Sequence, residues 1–243
     1  MNAKLCVPVQ VDLVFRFLAN EFKGWSPGEY AWLLFCEIAI ISLSLFWGET
    51  AVGIVAATTG IAYTVFAGKG KILCYVFGIV NTPLYAYIAF ENKYYGDMAL
   101  NIYYFAMMAA GIAAWSKNRE EDETKGIVKT RLPDKERAVW AGAIVLFTLA
   151  LWAILAAAGG NRPLCDAMTN TLSIAAMILT VKRCMEQWAM WIAVNAIEVF
   201  MWWRTWTTDG NSISVLLMWL LFLVNGIFFL VKWRGNGRKK ALE

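Results

Sequence analysis

Residues 186–203 read Glu186-Gln-Trp188-Ala-Met-Trp191-Ile-Ala-Val-Asn195-Ala-Ile-Glu198-Val-Phe-Met-Trp202-Trp203. From Trp188 to Trp202, the indoles, the amide and the carboxylate recur at alternating spacings of three and four residues, so they share one face of an α-helix. Polar groups on an otherwise apolar helix are unfavourable against lipid. The stretch therefore predicts a transmembrane helix whose polar face lies inside a helix bundle.

The composition of the whole chain agrees with a membrane location. Apolar residues make up 60% of the 243 residues and charged residues 16%, and the mean hydropathy is +0.52. These values lie outside the range of soluble proteins. The sequence predicts an all-α membrane protein embedded in the lipid bilayer, and its net charge of +4 gives no sign of a nucleic-acid partner.

The apolar residues fall into eight runs that approach the roughly 20 residues needed to cross a hydrocarbon core. The predicted transmembrane helices are 30–48, 50–68, 72–90, 97–115, 138–158, 165–181, 186–206 and 212–232. The stretch from Val11 to Lys23 precedes them, is amphipathic, and is predicted to form an interfacial helix.

The basic residues predict the orientation of these helices. If the N-terminus is cytoplasmic, nineteen of the 22 lysines and arginines fall on the cytoplasmic side. Only Lys93, Arg162 and Arg204 fall on the other side. Because positive charge accumulates in cytoplasmic loops, both termini are predicted to be cytoplasmic.

Two parts of the chain resemble each other. An offset of 114 residues aligns Lys69 with Arg183 and Asn81 with Asn195, and one further residue aligns Tyr104 with Trp219 and Gly111 with Gly226. An internal duplication of three helices is indicated. Two odd-numbered copies share one orientation only if an extra helix separates them, and the run 138–158 fits that role. The predicted arrangement is one additional helix followed by three plus one plus three, with parallel repeats of the SWEET type.

This arrangement divides the chain into seven parts. They are an N-terminal amphipathic segment (1–29), the additional helix (30–48), the first three-helix repeat (49–115), a charged cytoplasmic linker (116–137), a linker helix (138–158), the second three-helix repeat (165–233) and a cytoplasmic tail (234–243). The linker 116–137 has two interpretations, a docking site for a cytoplasmic partner or a solvated connection that anchors the orientation.

The polar stripe is the first wall of a predicted substrate site. Trp191 and Asn195 lie deepest, and indole faces attract cations while an amide pairs with carboxamides or hydroxyls. Gln187 and Trp188 extend the wall toward one end, although Trp188 could instead belong to an interfacial aromatic belt. Glu198 could hold the charge of a cation, or stay protonated and bond a neighbouring helix.

The second wall is predicted on the helix 72–90. Asn81 and Tyr85 lie one turn apart on one face, and Pro83 should kink the helix beside them, either as a gating hinge or as a fixed packing feature. Asn101 and Tyr104 on the next helix could complete the site. Small polar residues in membrane helices also often bond only each other, so this alternative stays open.

The absence of histidine limits the chemistry available. Histidine-ligated metal sites, bis-histidine haem ligation and histidine general bases are excluded. No phosphate-binding G-x-x-x-x-G-K-[ST] motif occurs. The sequence indicates no catalytic residue, no metal site and no cofactor, and it predicts that the protein is not an enzyme.

Three segments resemble the PnuC family. They are the run from Glu186 through Trp191 to Asn195, the face formed by Asn81 and Tyr85, and the turn Tyr94-Tyr95-Gly96-Asp97-Met98-Ala-Leu100-Asn101. The resemblance covers about residues 30–233. PnuC proteins are bacterial vitamin transporters, chiefly for nicotinamide riboside, and are similar in fold to SWEET carriers.

The resemblance implies a function and a setting. The implied function is facilitated diffusion of nicotinamide riboside across the bacterial inner membrane, followed by trapping through a cytoplasmic riboside kinase. It also implies a homo-oligomer such as a trimer. Two alternatives remain at this point, a carrier of a related vitamin such as thiamine or riboflavin, and a structural subunit of a membrane complex.

Overall fold

The computed structural model describes residues 9–91, 95–122, 124–159, 162–209 and 213–239. Residues 1–8, Tyr94 and residues 240–243 were part of the predictions above and lie outside the described residues. Across the described ranges the chain forms nine α-helices: α1 Val9–Glu21, α2 Pro27–Phe46, α3 Ala51–Lys69, α4 Leu73–Glu91, α5 Tyr95–Ser116, α6 Asp134–Ala157, α7 Pro163–Val181, α8 Gln187–Asp209 and α9 Ile213–Lys239.

The helices follow the predicted runs closely. The stretch predicted to be amphipathic is helical as α1, and α2 to α9 coincide with the eight predicted runs. The largest shift at the start of a helix is at α6, which begins at Asp134 rather than at residue 138. Asp134 and Glu136 lie in its first turn, where acidic side chains interact favourably with the helix dipole, so the helix extends into charged sequence.

The eight predicted runs differ in hydropathy. Among the described residues, seven helices are long and apolar enough to cross a membrane, and α8 is not one of them. The stripe that includes Asn195 and Glu198, together with Arg204 and the threonines near its end, lowers the hydropathy of α8. The polar side chains that suggest a function are therefore the ones that lower the hydropathy by which a membrane-spanning helix is recognised.

The helices pack in two groups of three. In the first group α4 packs against α3 and α5, and in the second α8 packs against α7 and α9. The groups meet reciprocally, since α3 packs against α9 and α5 packs against α7. The additional helix α2 packs against α3 and α9, whereas α6 packs against α7 and leaves most of its apolar surface exposed.

The buried core lies at the end of the bundle that contains the α3–α4 and α7–α8 turns. Its largest fully buried side chains include Phe66, Tyr75, Trp115 and Phe229. Two indoles join the groups here: Trp115 donates to the carbonyl of Thr180 (3.0 Å), and Trp233 donates to that of Gly68 (2.7 Å). One helix group is thereby hydrogen bonded to the other at this end.

The segment between α5 and α6 contacts the helix turns. It forms a short antiparallel bridge between Arg119 and Ile127 and a parallel bridge between Thr130 and Cys184. The Thr130 amide donates to the Arg183 carbonyl (3.0 Å) and its own carbonyl accepts from the Met185 amide (2.9 Å). With Ile127 buried, part of the segment packs against the helix turns, and both interpretations of its role remain predictions.

Candidate functional site

Trp191 faces the interior of the bundle. Its indole Nε1 donates to Thr180 Oγ1 on α7 (3.2 Å). Its ring lies 6.2 Å from that of Tyr104 on α5, centroid to centroid, at an angle of 59°. Because α5 and α7 belong to different helix groups, Trp191 of α8 lies where the two groups meet.

Asn195 follows one turn later on α8 and is also directed inward. It is only 7% exposed. It lies beside α9, where a Cβ added to Gly226 would stand 3.8 Å from Asn195 Nδ2. Among the described residues no hydrogen bond to this amide is formed. A buried amide without a protein partner can bind a polar ligand.

Trp188 and Gln187 lie in the core at the end of the polar stripe. Trp188 packs against Phe229 and Trp233, with ring centroids 5.6 and 5.7 Å away. At 2% exposure it does not belong to an interfacial belt. Its Nε1 and the Nε2 of Gln187 are buried donors that lack a hydrogen-bond partner in the described part of the chain.

Glu198 continues the stripe in the other direction, among other carboxylates. It lies close enough to Asp97 and Asp166 to interact with both electrostatically. Asp97 stands in the first turn of α5 and Asp166 in the first turn of α7. Three helices therefore bring carboxyl groups to this end of the stripe.

The second predicted wall is held by contacts within the protein. Asn81 Nδ2 donates to the backbone carbonyl of Ala56 on α3 (2.6 Å). Gly60 makes room for it, since a Cβ there would stand 3.1 Å from the same nitrogen. The Tyr85 hydroxyl contacts the Met218 sulfur on α9 (3.8 Å). The wall thus lies against α3 and α9, the pair through which the two helix groups meet.

The two remaining predicted residues, Tyr104 and Asn101, have different contacts. Tyr104 packs against the ring of Trp191, as described above. Asn101 instead donates to the carbonyl of Asp97 on its own helix (2.8 Å). Thr180 was missed from the sequence, because nothing in its local pattern distinguishes it from other threonines in apolar helices.

Comparisons with known proteins identify the family of this chain. The family model described as nicotinamide mononucleotide transporter matches residues 50–235. A nicotinamide riboside transporter PnuC from Neisseria mucosa is 35% identical over 218 residues, covering 87% of this chain and 82% of the relative. The chain belongs to the PnuC family.

Other relatives extend this result. A nicotinamide riboside transporter PnuC from Haemophilus influenzae is 29% identical and aligns over 89% of this chain and 94% of its own length. A crystal structure of the vitamin B3 transporter PnuC superposes with a TM-score of 0.78 at 32% identity, covering 90% of this chain and 96% of that one. A PnuC-family chain is a multi-pass membrane transporter and not an enzyme.

Proposed function

We propose that this chain carries nicotinamide riboside across the membrane by facilitated diffusion. The observation that carries the proposal is the aromatic pair of Trp191 and Tyr104, which meets beside the buried amide of Asn195 in a chain of the PnuC family. The named function of the relatives from Neisseria mucosa and Haemophilus influenzae supports the same substrate.

The chemistry of nicotinamide riboside fits these side chains. Its flat pyridinium ring is cationic, and indole and phenol faces attract cations, more strongly in a desolvated site. Its carboxamide can pair with the amide of Asn195. The ribose hydroxyls can reach Tyr85 and the carbonyl oxygen of Asn81, whose amide nitrogen is held by Ala56.

The charges beside the stripe favour the riboside over its phosphorylated form. Glu198, Asp97 and Asp166 are carboxylates, and they would attract a cationic ring but repel a phosphate carrying about −1.5 to −2 charges at neutral pH. Arg162 is near Asp166, but its guanidinium donates to the Met201 carbonyl (2.7 Å). We therefore infer that nicotinamide mononucleotide is a poor substrate.

We further propose that α3–α5 and α7–α9 are parallel repeats of the SWEET type, with α2 additional, α6 separating them and α8 crossing the membrane. Helices α4 and α8 begin 114 residues apart, at Leu73 and Gln187. The side chains of Tyr63 and Met177, also 114 residues apart, contact each other at 3.7 Å. Equivalent residues meet in this way near the axis that relates two repeats.

The proposed energetics require no coupling to ATP, since the sequence has no phosphate-binding loop. Uptake would instead be driven by a kinase in the cytoplasm, because a phosphorylated product is no longer a substrate for the carrier. The exposed apolar surface of α6 supports a homo-oligomer, as in the trimer implied by the family resemblance. The proposed location is the bacterial inner membrane with both termini cytoplasmic.

A binding titration tests the substrate. Purified protein is titrated with nicotinamide riboside, nicotinamide mononucleotide, thiamine and riboflavin by calorimetry, and tryptophan fluorescence is followed where the ligand permits. We expect the riboside to bind at least about tenfold more tightly than the others, a difference of about 1.4 kcal/mol. Equal binding of the mononucleotide would contradict the charge argument, and binding of none would favour a structural subunit.

A further inference from the structure

Thr180 occupies an unusual position near the end of α7. It is 1% exposed, and its hydroxyl donates to the Ala176 carbonyl one turn earlier (2.9 Å). The same oxygen accepts from the indole nitrogen of Trp191 (3.2 Å). The hydroxyl proton is thus used within α7, so the oxygen is oriented as an acceptor toward α8.

The backbone of Thr180 is fixed as well. Its carbonyl accepts a hydrogen bond from the indole of Trp115 on α5 (3.0 Å). A hydrogen bond from α5 therefore fixes the backbone of Thr180, the residue that accepts the indole N–H of Trp191 on α8. Because the backbone of Thr180 and the proton of its hydroxyl are both hydrogen bonded, one rotamer of the side chain is favoured. The hydroxyl oxygen can then set the orientation of the indole that donates to it.

The α5 turn that carries Tyr104 also lies against α7. The hydroxyl of the neighbouring Tyr103 donates to the Ile174 carbonyl (3.1 Å). α7 thus contacts Trp191 on α8 and the turn of α5 from which Tyr104 meets that indole.

We propose that Thr180 is a positioning residue that fixes the ring of Trp191 for the substrate. Its hydroxyl is not proposed to touch the substrate, and the inference rests on the proposed function. Rings held in their binding orientation before the substrate arrives lose less conformational freedom on binding, which strengthens affinity.

The first test compares two substitutions at one position. Thr180→Val keeps the shape and removes the hydroxyl, whereas Thr180→Ser keeps the hydroxyl. We expect Thr180→Val to weaken riboside binding by about five- to tenfold, the worth of one hydrogen bond, and Thr180→Ser to stay within about twofold of wild type. Thr148→Val on α6 is the matched control, since Thr148 is also buried but lies away from the site.

A double-mutant cycle separates positioning from a general structural effect. Trp191→Phe retains an aromatic ring but has no N–H to donate. If Thr180 acts through that N–H, Thr180→Val should cause no further loss of affinity in the Trp191→Phe background. An equal loss in both backgrounds, or unchanged affinity of Thr180→Val in the wild-type background, would overturn the proposal for Thr180.

Thr180→Ala covers the case in which Thr180→Val fails to fold. It should weaken binding in the wild-type chain and have no effect in the Trp191→Phe background; equal effects in both would overturn the proposal. Trp191→Ala separates this inference from the proposed function. If Trp191→Ala binds the riboside as wild type does, the proposed site is wrong. If it does not bind while Thr180→Val is unaffected, only the positioning role fails.

Discussion

The two asparagines that align at the 114-residue offset occupy different environments. Asn81 is hydrogen bonded to Ala56 across α3 and α4, whereas the amide of Asn195 is buried beside α9. We expect Asn195→Ala to weaken riboside binding at least about tenfold, because a polar partner of the substrate is lost. We expect Asn81→Ala to lower the free energy of unfolding by about 1 kcal/mol and to affect binding less.

Calorimetric titration and thermal unfolding of both variants in detergent check this pair. Each variant serves as the control for the other, since the same chemical change is made in equivalent helices. A loss of stability in Asn195→Ala without a change in affinity would show that its amide serves packing. The same affinity for both variants would show that the two amides contribute equally to the site.

Lys129 gives a prediction of how the stability of the protein depends on pH. It lies over the ring of Trp233, 4.8 Å from its centroid. Burial, and then the positive charge of Lys69, lowers the pKa of the Lys129 ammonium from its ordinary value of 10.5 to about 8. Between these two values the unfolded chain binds more protons than the folded chain, so the contribution of Lys129 to stability rises with pH.

The measurement is a comparison of wild type with Lys129→Met. We expect the thermal stability of wild type, relative to that of the variant, to increase from about pH 8 to about pH 10.5 and to be constant below pH 7. The difference between the two proteins removes the contributions of other lysines. A constant difference across the whole range would mean that burial does not shift this pKa.

At the scale of elements, the helices were predictable and the connection between α5 and α6 was not. Seven of the long helices in the described part of the chain have an apolar run of nearly their own length, so local sequence determines them. The segment 117–133 is ordered by partners distant in sequence, chiefly the turn at Arg183 and Cys184. Arg183 adopts a φ of 63°, a conformation that is rare for arginine and that no sequence pattern predicts.

A substitution at Gly126 tests whether the segment between α5 and α6 stabilises the bundle. Its φ is +79°, and a Cβ would stand 2.4 Å from the Gly70 carbonyl oxygen in the α3–α4 turn. Gly126→Ala therefore combines backbone strain with a collision, and we expect it to destabilise the protein by at least about 1–3 kcal/mol. The thermal melting point in detergent measures the effect.

Gly142→Ala on α6 is the matched control, because a Cβ there meets nothing within 4 Å. It should leave the melting point unchanged or raise it, since alanine favours a helix over glycine by about 1 kcal/mol. Equal melting points for the two variants would indicate that the segment 117–133 does not stabilise the bundle.

At the scale of the whole molecule, the site depends on how the two helix groups meet. Sequence singled out Trp191 and Asn195 as candidates because indole and amide side chains are conspicuous in an apolar helix. It could not single out Thr180 as the neighbour of Trp191, or Met218 as the neighbour of Tyr85, since each of these contacts joins two different helices and depends on how they pack. The polar stripe thus indicates that a site exists, and tertiary packing determines its composition.

The mechanism of the whole molecule depends on its membrane topology, and the topology depends on whether α8 crosses the membrane. If α8 crosses the membrane with the seven apolar helices, the chain crosses eight times and both termini share the cytoplasmic side. Fluorescent-protein fusions fluoresce in the cytoplasm, and alkaline phosphatase fusions are active outside it. We expect a fusion after residue 239 to be fluorescent and phosphatase-inactive, and a fusion after Asp209 to show the reverse.

A fusion after residue 159 is the control, because it follows α6, one of the apolar helices, and is predicted to lie outside with Arg162. It should give phosphatase activity whether or not α8 crosses. If the fusion after residue 239 were also phosphatase-active, α8 would not span the membrane. Its Trp191 and Asn195 could then not line a path through the bilayer, and the carrier mechanism proposed for this chain would lose its physical basis.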